Sequence, residues 1–346
     1  MININNHEIS ETSKAFIIAE LSANHNQDKK IAIESIKAAK RAGADCIKLQ
    51  TYTPDTMTIN SNKEDFTIKG TIWNNKNYYK LYNEAYTPWK WHKELFSIAK
   101  KEGLVCFSTP FDKSSVDFLE NLSVPAYKIS SFEITDIPLI EYIASKGKPI
   151  IISTGIATLD DITLAINTIK KNHNNQIILL KCTSSYPAPI DEANLCMIKN
   201  FSKRFGVISG VSDHTIGHTV PLVAIAFGAK VIEKHFIIDR SIGGPDSSFS
   251  MNEKEFAEMV KLVREAEKSI GNINYSLTKN QKKGRDFSRS LYVVSDVKKG
   301  DIITDENVRS IRPGFGLHPK FLPKIIGKTF ITDVEKGARF SLNLIK

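Results

Sequence analysis

The chain is 346 residues long, 41% hydrophobic and 25% charged, with a formal net charge of +9. That length exceeds the roughly 250 residues of a single barrel domain and leaves room for a second, smaller one, within an ordinary globular composition. No apolar run approaches the ~20 residues of a membrane span, Met1–Ser10 lacks a signal-peptide layout, and no dense basic tract interleaved with aromatics points to nucleic acid; the expectation is a cytoplasmic protein whose positive charge aids solubility or attracts an anionic substrate.

Short apolar runs recur along the first 235 residues: Phe16–Ala19, Cys46–Leu49, Leu104–Phe107, Ala126–Ile129, Ile150–Ile152, Ile177–Leu180, Val207–Val211 and Val231–Ile232. Helix-length amphipathic stretches separate them. One has Ile33, Ile36, Ala39 and Lys40 at three-four spacing behind a start at Asp28; another has Phe256, Met259, Val260, Val263 and Ala266. Eight such alternations predict a closed (β/α)8 TIM barrel with a parallel sheet. The absence of GxGxxG after the first run speaks against an open doubly wound sheet. Residues 53–86 interrupt the pattern with a polar, aromatic insertion containing Trp73, Tyr78, Tyr79 and Tyr82, read as a lid or a subunit contact. The barrel is expected over 1–271, a linker rich in Asn, Lys and Gln over 272–285, and a β-rich module over 286–346. Cys46, Cys106, Cys182 and Cys196 lack CxxC spacing and are expected as buried free thiols rather than ligands of a structural metal.

The strand ends carry the chemistry. In order they present Glu20; Lys48, Gln50 and Thr51; Ser108 and Thr109; Lys128, Ser130, Ser131 and Glu133; Ser153 and Thr154; Lys181, Thr183 and Ser184; Ser212, Asp213 and His214; and Glu233, Lys234 and His235. Catalytic groups of such barrels gather at the C-terminal strand ends. Hydroxyls there could be helix caps. Three lysines beside apolar residues need partners, because an unpaired buried ammonium costs several kcal/mol. Glu20 and Glu233 could supply some of those partners. Taken together, Lys48, Lys128 and Lys181 with the hydroxyls suit a phosphate or carboxylate. His214 and His235, on neighbouring strands, suit a shared metal whose remaining positions stay open.

At these residues the chain resembles the sialic acid synthase family, and specifically its pseudaminic acid branch. The resemblance rests on FIIAELSANH (16–25), IKLQTYT (47–53), FSTPF (107–111), YKISSFE (127–133), ISTG (152–155), KCTSSYP (181–187), GVSDHT (210–215) and VIEKHF (231–236). SLY (290–292) and RPGFGLHPKF (312–321) look like the antifreeze-like SAF domain of that family.

The resemblance implies phosphoenolpyruvate bound by Lys48, Thr109, Lys128, Ser131, Ser153, Ser184 and Ser212. It implies an acceptor sugar held by Glu20, Gln50, Tyr186, Asp246 and Arg312. Glu133, with Glu20, would serve catalysis. His214 and His235 would hold a divalent metal, manganese first, with magnesium or cobalt as alternatives. Arg312 would reach the barrel of a partner subunit in a domain-swapped homodimer. Ser184 stands where sialic enzymes commonly have Asn, which weakens its assignment. Phe315 beside Arg312 suits a sugar with fewer hydroxyls, such as a diacetamido-trideoxyhexose. Three other readings stay open: sialic or legionaminic acid synthesis, a Schiff-base aldolase using Lys128 or Lys181, and a non-catalytic sugar-binding barrel.

Overall fold

The computed structural model describes residues 1–346 and divides into two compact units, Met1–Gly271 and Asn272–Lys346. The first unit opens with a hairpin, β1 (Ile2–Ile4) and β2 (His7–Ile9). Eight parallel strands follow: β3 (Phe16–Glu20), β4 (Cys46–Thr51), β5 (Val105–Pro110), β6 (Tyr127–Ile129), β7 (Ile150–Ser153), β8 (Ile177–Cys182), β9 (Ile208–Asp213) and β10 (Val231–His235). β10 pairs with β3, so the sheet closes into a barrel with no free edge. Each of the eight apolar runs is one of these strands.

Side chains on a strand alternate between its two faces, and here both faces are buried. Phe16, Ile18, Cys46, Val105, Phe107, Ile151, Ile178, Leu180 and Val231 form the barrel interior, with Ile2, Ile4 and Ile9 of the hairpin packed among them. Ile17, Ala19, Ile47, Leu49, Ile150, Ile152, Ile177, Leu179 and Ile232 face the surrounding helices.

The helices begin and end as their sequences dictate. The Asp28 side chain accepts from Lys30 N to start Lys29–Arg41. Its stripe buries Ile36 and Ala39, while Lys40 turns outward to donate to the Gly103 carbonyl. Asn252 and Glu255 form a capping box ahead of Glu253–Ile270, which buries Phe256, Met259, Val260 and Val263. No helix is long and apolar enough to cross a membrane. Cys46, Cys106 and Cys182 are buried free thiols; Cys196 is free but exposed, contrary to the expectation for it.

The 53–86 insertion has structure of its own, including helices Pro54–Met57 and Tyr78–Ala85. In the second unit, β11 (Ser290–Val293) and β12 (Val308–Ile311) pair antiparallel. Isolated bridges such as Val297 to Val334 and Ile302 to Thr329 extend the β structure. Leu291, Val293, Ile303, Val308, Ile325, Phe330 and Phe340 form its core. The 272–285 stretch contains a short helix, Lys279–Gly284.

Candidate active site

Two-residue alternation carries each interior row upward into polar groups at the C-terminal mouth. Phe16 and Ile18 lead to Glu20, Cys46 to Lys48 and Gln50, Phe107 to Thr109, Ile151 to Ser153, and Val231 to Glu233 and His235. Glu20, Lys48, Thr109, Lys128, Ser153, Ser212, Glu233 and His235 are all buried.

The charged groups meet around Glu233. Its Oε1 lies 3.3 Å from Lys128 Nζ and 3.6 Å from Lys48 Nζ, and accepts from Ser212 Oγ at 3.1 Å. Lys48 Nζ is also 2.7 Å from Glu20 Oε2, an ion-pair distance without hydrogen-bond alignment, and donates to Thr109 Oγ1 at 3.2 Å. Gln50 donates to Glu20 Oε1 at 3.1 Å and to Ser22 Oγ at 2.9 Å.

Burial sets the protonation states. It pushes the Glu20 carboxyl up to about 7, against the pull of Lys48. Burial also pushes Glu133 to about 7, against Lys128. Glu233 is buried too, but Lys128 and Lys48 together hold it below the ordinary carboxylate value. Burial lowers Lys128, which Glu233 only partly offsets. In Lys48, the two carboxylates outweigh burial and raise it. Near neutral pH, two ammoniums therefore face one committed carboxylate and two carboxyls that can take a proton. Glu133 Oε2, Glu233 Oε2 and Ser153 Oγ are buried without hydrogen-bond partners. Buried polar groups are normally paired, so these orphans mark where a polar ligand fits.

Hydroxyls from the ends of β6 and β8 converge on Gly155, which follows β7 between them. A side-chain carbon there would lie 2.0 Å from Ser184 Oγ and 2.7 Å from Ser131 Oγ, and the Gly155 amide donates to Ser131 Oγ at 3.0 Å. Only glycine leaves room for both serines.

The imidazoles of His214 and His235 are 5.3 Å apart between ring centroids. Thr183 O can only accept, so at 2.9 Å His214 Nδ1 must carry a proton, and Nε2 is the nitrogen left to face a metal. His235 Nδ1 is buried without a hydrogen-bond partner, 3.9 Å from Asp246 Oδ2. Burial and the nearby cations keep His235 neutral, well below the ordinary histidine value. Burial lowers His214, but Cys182 beside it outweighs burial and raises it; a divalent metal would take its neutral form, through Nε2, together with the neutral His235. No group of three His, Cys, Asp or Glu side chains converges anywhere, so this chain would leave the metal's other positions to substrate and water.

Tyr186 packs 4.4 Å from the His214 ring, and Phe249 packs 4.9 Å from that of His235. Asp246 is buried and accepts from Ala23 N at 3.4 Å. Burial raises its carboxyl. Arg312, in the second unit, is exposed and makes no hydrogen bond or ion pair there. Its neighbours Gly314 and Gly316 are required by space: a side-chain carbon would lie 2.4 Å from Arg285 O at Gly314 and 2.2 Å from Leu291 O at Gly316. Phe315 is stacked on the Arg339 guanidinium, 4.9 Å from the ring centroid.

Lys181 corrects the expectation of three converging lysines. Its neighbours Ile177 and Leu179 belong to the outward row, and its Nζ donates to Cys182 O at 2.7 Å and to Thr183 Oγ1 at 3.3 Å. Lys234 likewise faces outward and pairs with Asp213. Counting alternate residues from the apolar interior row would have excluded both. Glu233, at the centre of the charge cluster, and Phe249 were not singled out as site residues in the sequence. Glu233 lies on the inward row, but nothing local marks Phe249.

Residues 35–275 match the NeuB family and residues 288–343 the SAF domain. The chain is 49% identical to the pseudaminic acid synthase of Campylobacter jejuni over 94% of both proteins. It is 47% identical to that of Helicobacter pylori, over 90% of this chain and 92% of the relative. Among solved structures it is similar to the N-acetylneuraminic acid synthetase of Leptospira borgpetersenii in complex with citrate. There the TM-score is 0.74 at 32% identity, over 82% of this chain and 94% of the other. The barrel, its polar mouth and the β-rich C-terminal unit are thus those of a NeuB-family protein with a SAF domain, and the chain belongs to that family.

Proposed function

We propose that the chain condenses phosphoenolpyruvate with 2,4-diacetamido-2,4,6-trideoxy-L-altrose and water, giving pseudaminic acid and phosphate. The observation that carries this reading is the juxtaposition, at one barrel mouth, of two buried ammoniums, two facing serine hydroxyls and a pair of imidazoles. Lys48 and Lys128 would hold the donor's charges, with Thr109, Ser131, Ser153, Ser184 and Ser212 as hydrogen-bonding groups. Glu20, Gln50, Tyr186 and Asp246 would hold the sugar. Holding donor and acceptor together supplies proximity.

The chemistry is an aldol-like addition. The phosphoenolpyruvate C3 forms a bond to the aldehyde carbon of the open-chain sugar, and the aldehyde oxygen gains a proton. Water adds at the resulting cationic C2 and loses a proton. The C2–O bond to phosphate then breaks, leaving the 2-keto acid. A divalent metal on His214 and His235, manganese in the first place, would polarise the aldehyde oxygen. Glu133, with a carboxyl near 7, is suited to exchanging a proton at neutral pH. The Glu233 carboxylate, 3.3 Å from Lys128 Nζ, favours the ammonium over the neutral amine that Schiff-base attack needs.

The decisive assay measures phosphate release from phosphoenolpyruvate with this sugar, with N-acetylmannosamine and with the legionaminic precursor, each with and without manganese. Faster turnover of another sugar would move the assignment to sialic or legionaminic acid; no turnover with any would favour a sugar-binding barrel. Trapping of a labelled lysine by borohydride would overturn the metal-assisted reading.

We also infer a cytoplasmic homodimer in which Arg312 of one copy completes the sugar site of the other. Exposed Ile59, Ile72, Phe132, Ile156, Ile190 and Ile216 on loops around the barrel mouth give a partner apolar surface to cover. Arg312→Ala is expected to lose turnover while keeping metal binding.

A further inference from the structure

The insertion after β4 is tied to the mouth by one side chain. Its tip is a tight loop: Ile68 N donates to Lys76 O at 2.9 Å and Asn75 N to Ile68 O at 2.8 Å. The Gly70 amide donates to Asn74 Oδ1 at 3.0 Å. Thr71, Ile72, Asn74, Asn75 and Lys76 are exposed; Trp73 between them is half-buried. The Trp73 indole N–H donates to Pro245 O at 2.9 Å, next to Asp246. The indole ring lies 5.6 Å from the Tyr186 ring, which lies 4.4 Å from His214. One residue thus joins three loops, those following β4, β8 and β10. Its side-chain hydrogen bond and its ring partner lie on the Pro245 and Tyr186 loops, and it makes no hydrogen bond to Lys48, Lys128 or the Ser131, Ser153 and Ser184 hydroxyls.

We propose that Trp73 is a positioning residue, a latch that holds Tyr186 and the Asp246 loop in place for the acceptor sugar while leaving the phosphoenolpyruvate half of the site untouched. The assignment of these halves rests on the function proposed above. The indole has two separable roles. Its ring packs on Tyr186, which fixes the tyrosine against the imidazoles. Its N–H fixes the Pro245 carbonyl and so the backbone that carries Asp246. Losing the hydrogen bond alone should weaken the acceptor site threefold to tenfold; losing the ring as well should weaken it further.

The test compares the full-length parent, Trp73→Phe and Trp73→Ala. Trypsin reports on the latch without any turnover, because Lys69 and Lys76 flank Trp73 in the exposed loop. Cleavage there is expected to be at least tenfold faster in Trp73→Ala, with an unchanged Tm, and unchanged or only slightly faster in Trp73→Phe. In turnover, KM for the diacetamido sugar should rise tenfold or more in Trp73→Ala and threefold to tenfold in Trp73→Phe, with KM for phosphoenolpyruvate unchanged in both. Parental cleavage rates in Trp73→Ala would overturn the latch. Faster cleavage with both KM values unchanged, or with both raised equally, would overturn its assignment to the acceptor. A parent that turns over no sugar would refute the proposed function, and the trypsin comparison would still decide the latch.

Discussion

Replacing Glu233 by glutamine keeps the shape of the site and removes the charge that two buried ammoniums share. Glu233 Oε1 is 3.3 Å from Lys128 Nζ and 3.6 Å from Lys48 Nζ. The remaining carboxylate, Glu20, is relieved of repulsion from Glu233 but pairs with Lys48, which leaves Lys128 without its ion-pair partner. Removing one member of a buried ion pair typically costs 3–5 kcal/mol, because the other charge stays buried and uncompensated. With an unfolding entropy of roughly 2.1 cal/mol/K per residue, a unit the size of Met1–Gly271 loses about 2 °C of Tm or slightly less per kcal/mol, so the melting temperature should fall by about 5–9 °C. Raising the pH should reduce the loss, since Lys128, already lowered by burial, can shed its proton. An anion should restore stability as well, because it replaces the missing carboxylate and no longer meets repulsion from it. At 100 times its dissociation constant, a ligand specific for the folded state contributes about 2.7 kcal/mol. The measurement is thermal unfolding of parent and variant across a titration of inorganic phosphate or phosphoenolpyruvate. A variant as stable as the parent, or one whose deficit is the same in saturating anion, would refute the idea that these ammoniums are poised for an anionic ligand.

Glu133→Gln should lower kcat by about 10²–10⁴ if Glu133 exchanges a proton with the reacting carbons. It should also remove one titration near pH 7 from the rate profile, where Glu20 and Glu133 both lie; an unchanged profile would assign that limb elsewhere. Gly155→Ala should displace the Ser131 and Ser184 hydroxyls and raise KM for phosphoenolpyruvate at least tenfold with a small change in Tm. An unaltered KM would remove those hydroxyls from the donor site. His25 and His92 are buried and lowered from 6.5 to about 4. The unfolded chain therefore binds more protons between pH 4 and 6.5, so their contribution is complete above about 6.5 and lost as pH falls towards 4. Each is worth about 3 kcal/mol at full extent. His92 bonds Thr51 Oγ1 at 2.8 Å; His92→Gln should flatten stability against pH over that window, as read by urea unfolding. A slope equal to the parent's would refute the assignment.

Much of the barrel is local information. Eight apolar runs at βα spacing can bury both of their faces only by closing between helices, so strand number and order followed from hydrophobic pattern alone. The mouth residues followed as well, because whatever ends an inward row must sit where the rows end. What the runs did not determine is which way a given lysine points. Lys128 and Lys181 look alike in sequence, yet one residue of register decides that the first meets Glu233 and the second its own strand's carbonyl. Likewise Trp73 and Tyr186 are 113 positions apart, and no periodicity links a loop after β4 to a loop after β8. Protonation belongs to the same class: Glu20 and Glu133 reach about 7 only because folding removes water from them. Side-chain type and spacing are properties of the chain, whereas facing, distance and dielectric exist only once the barrel has closed.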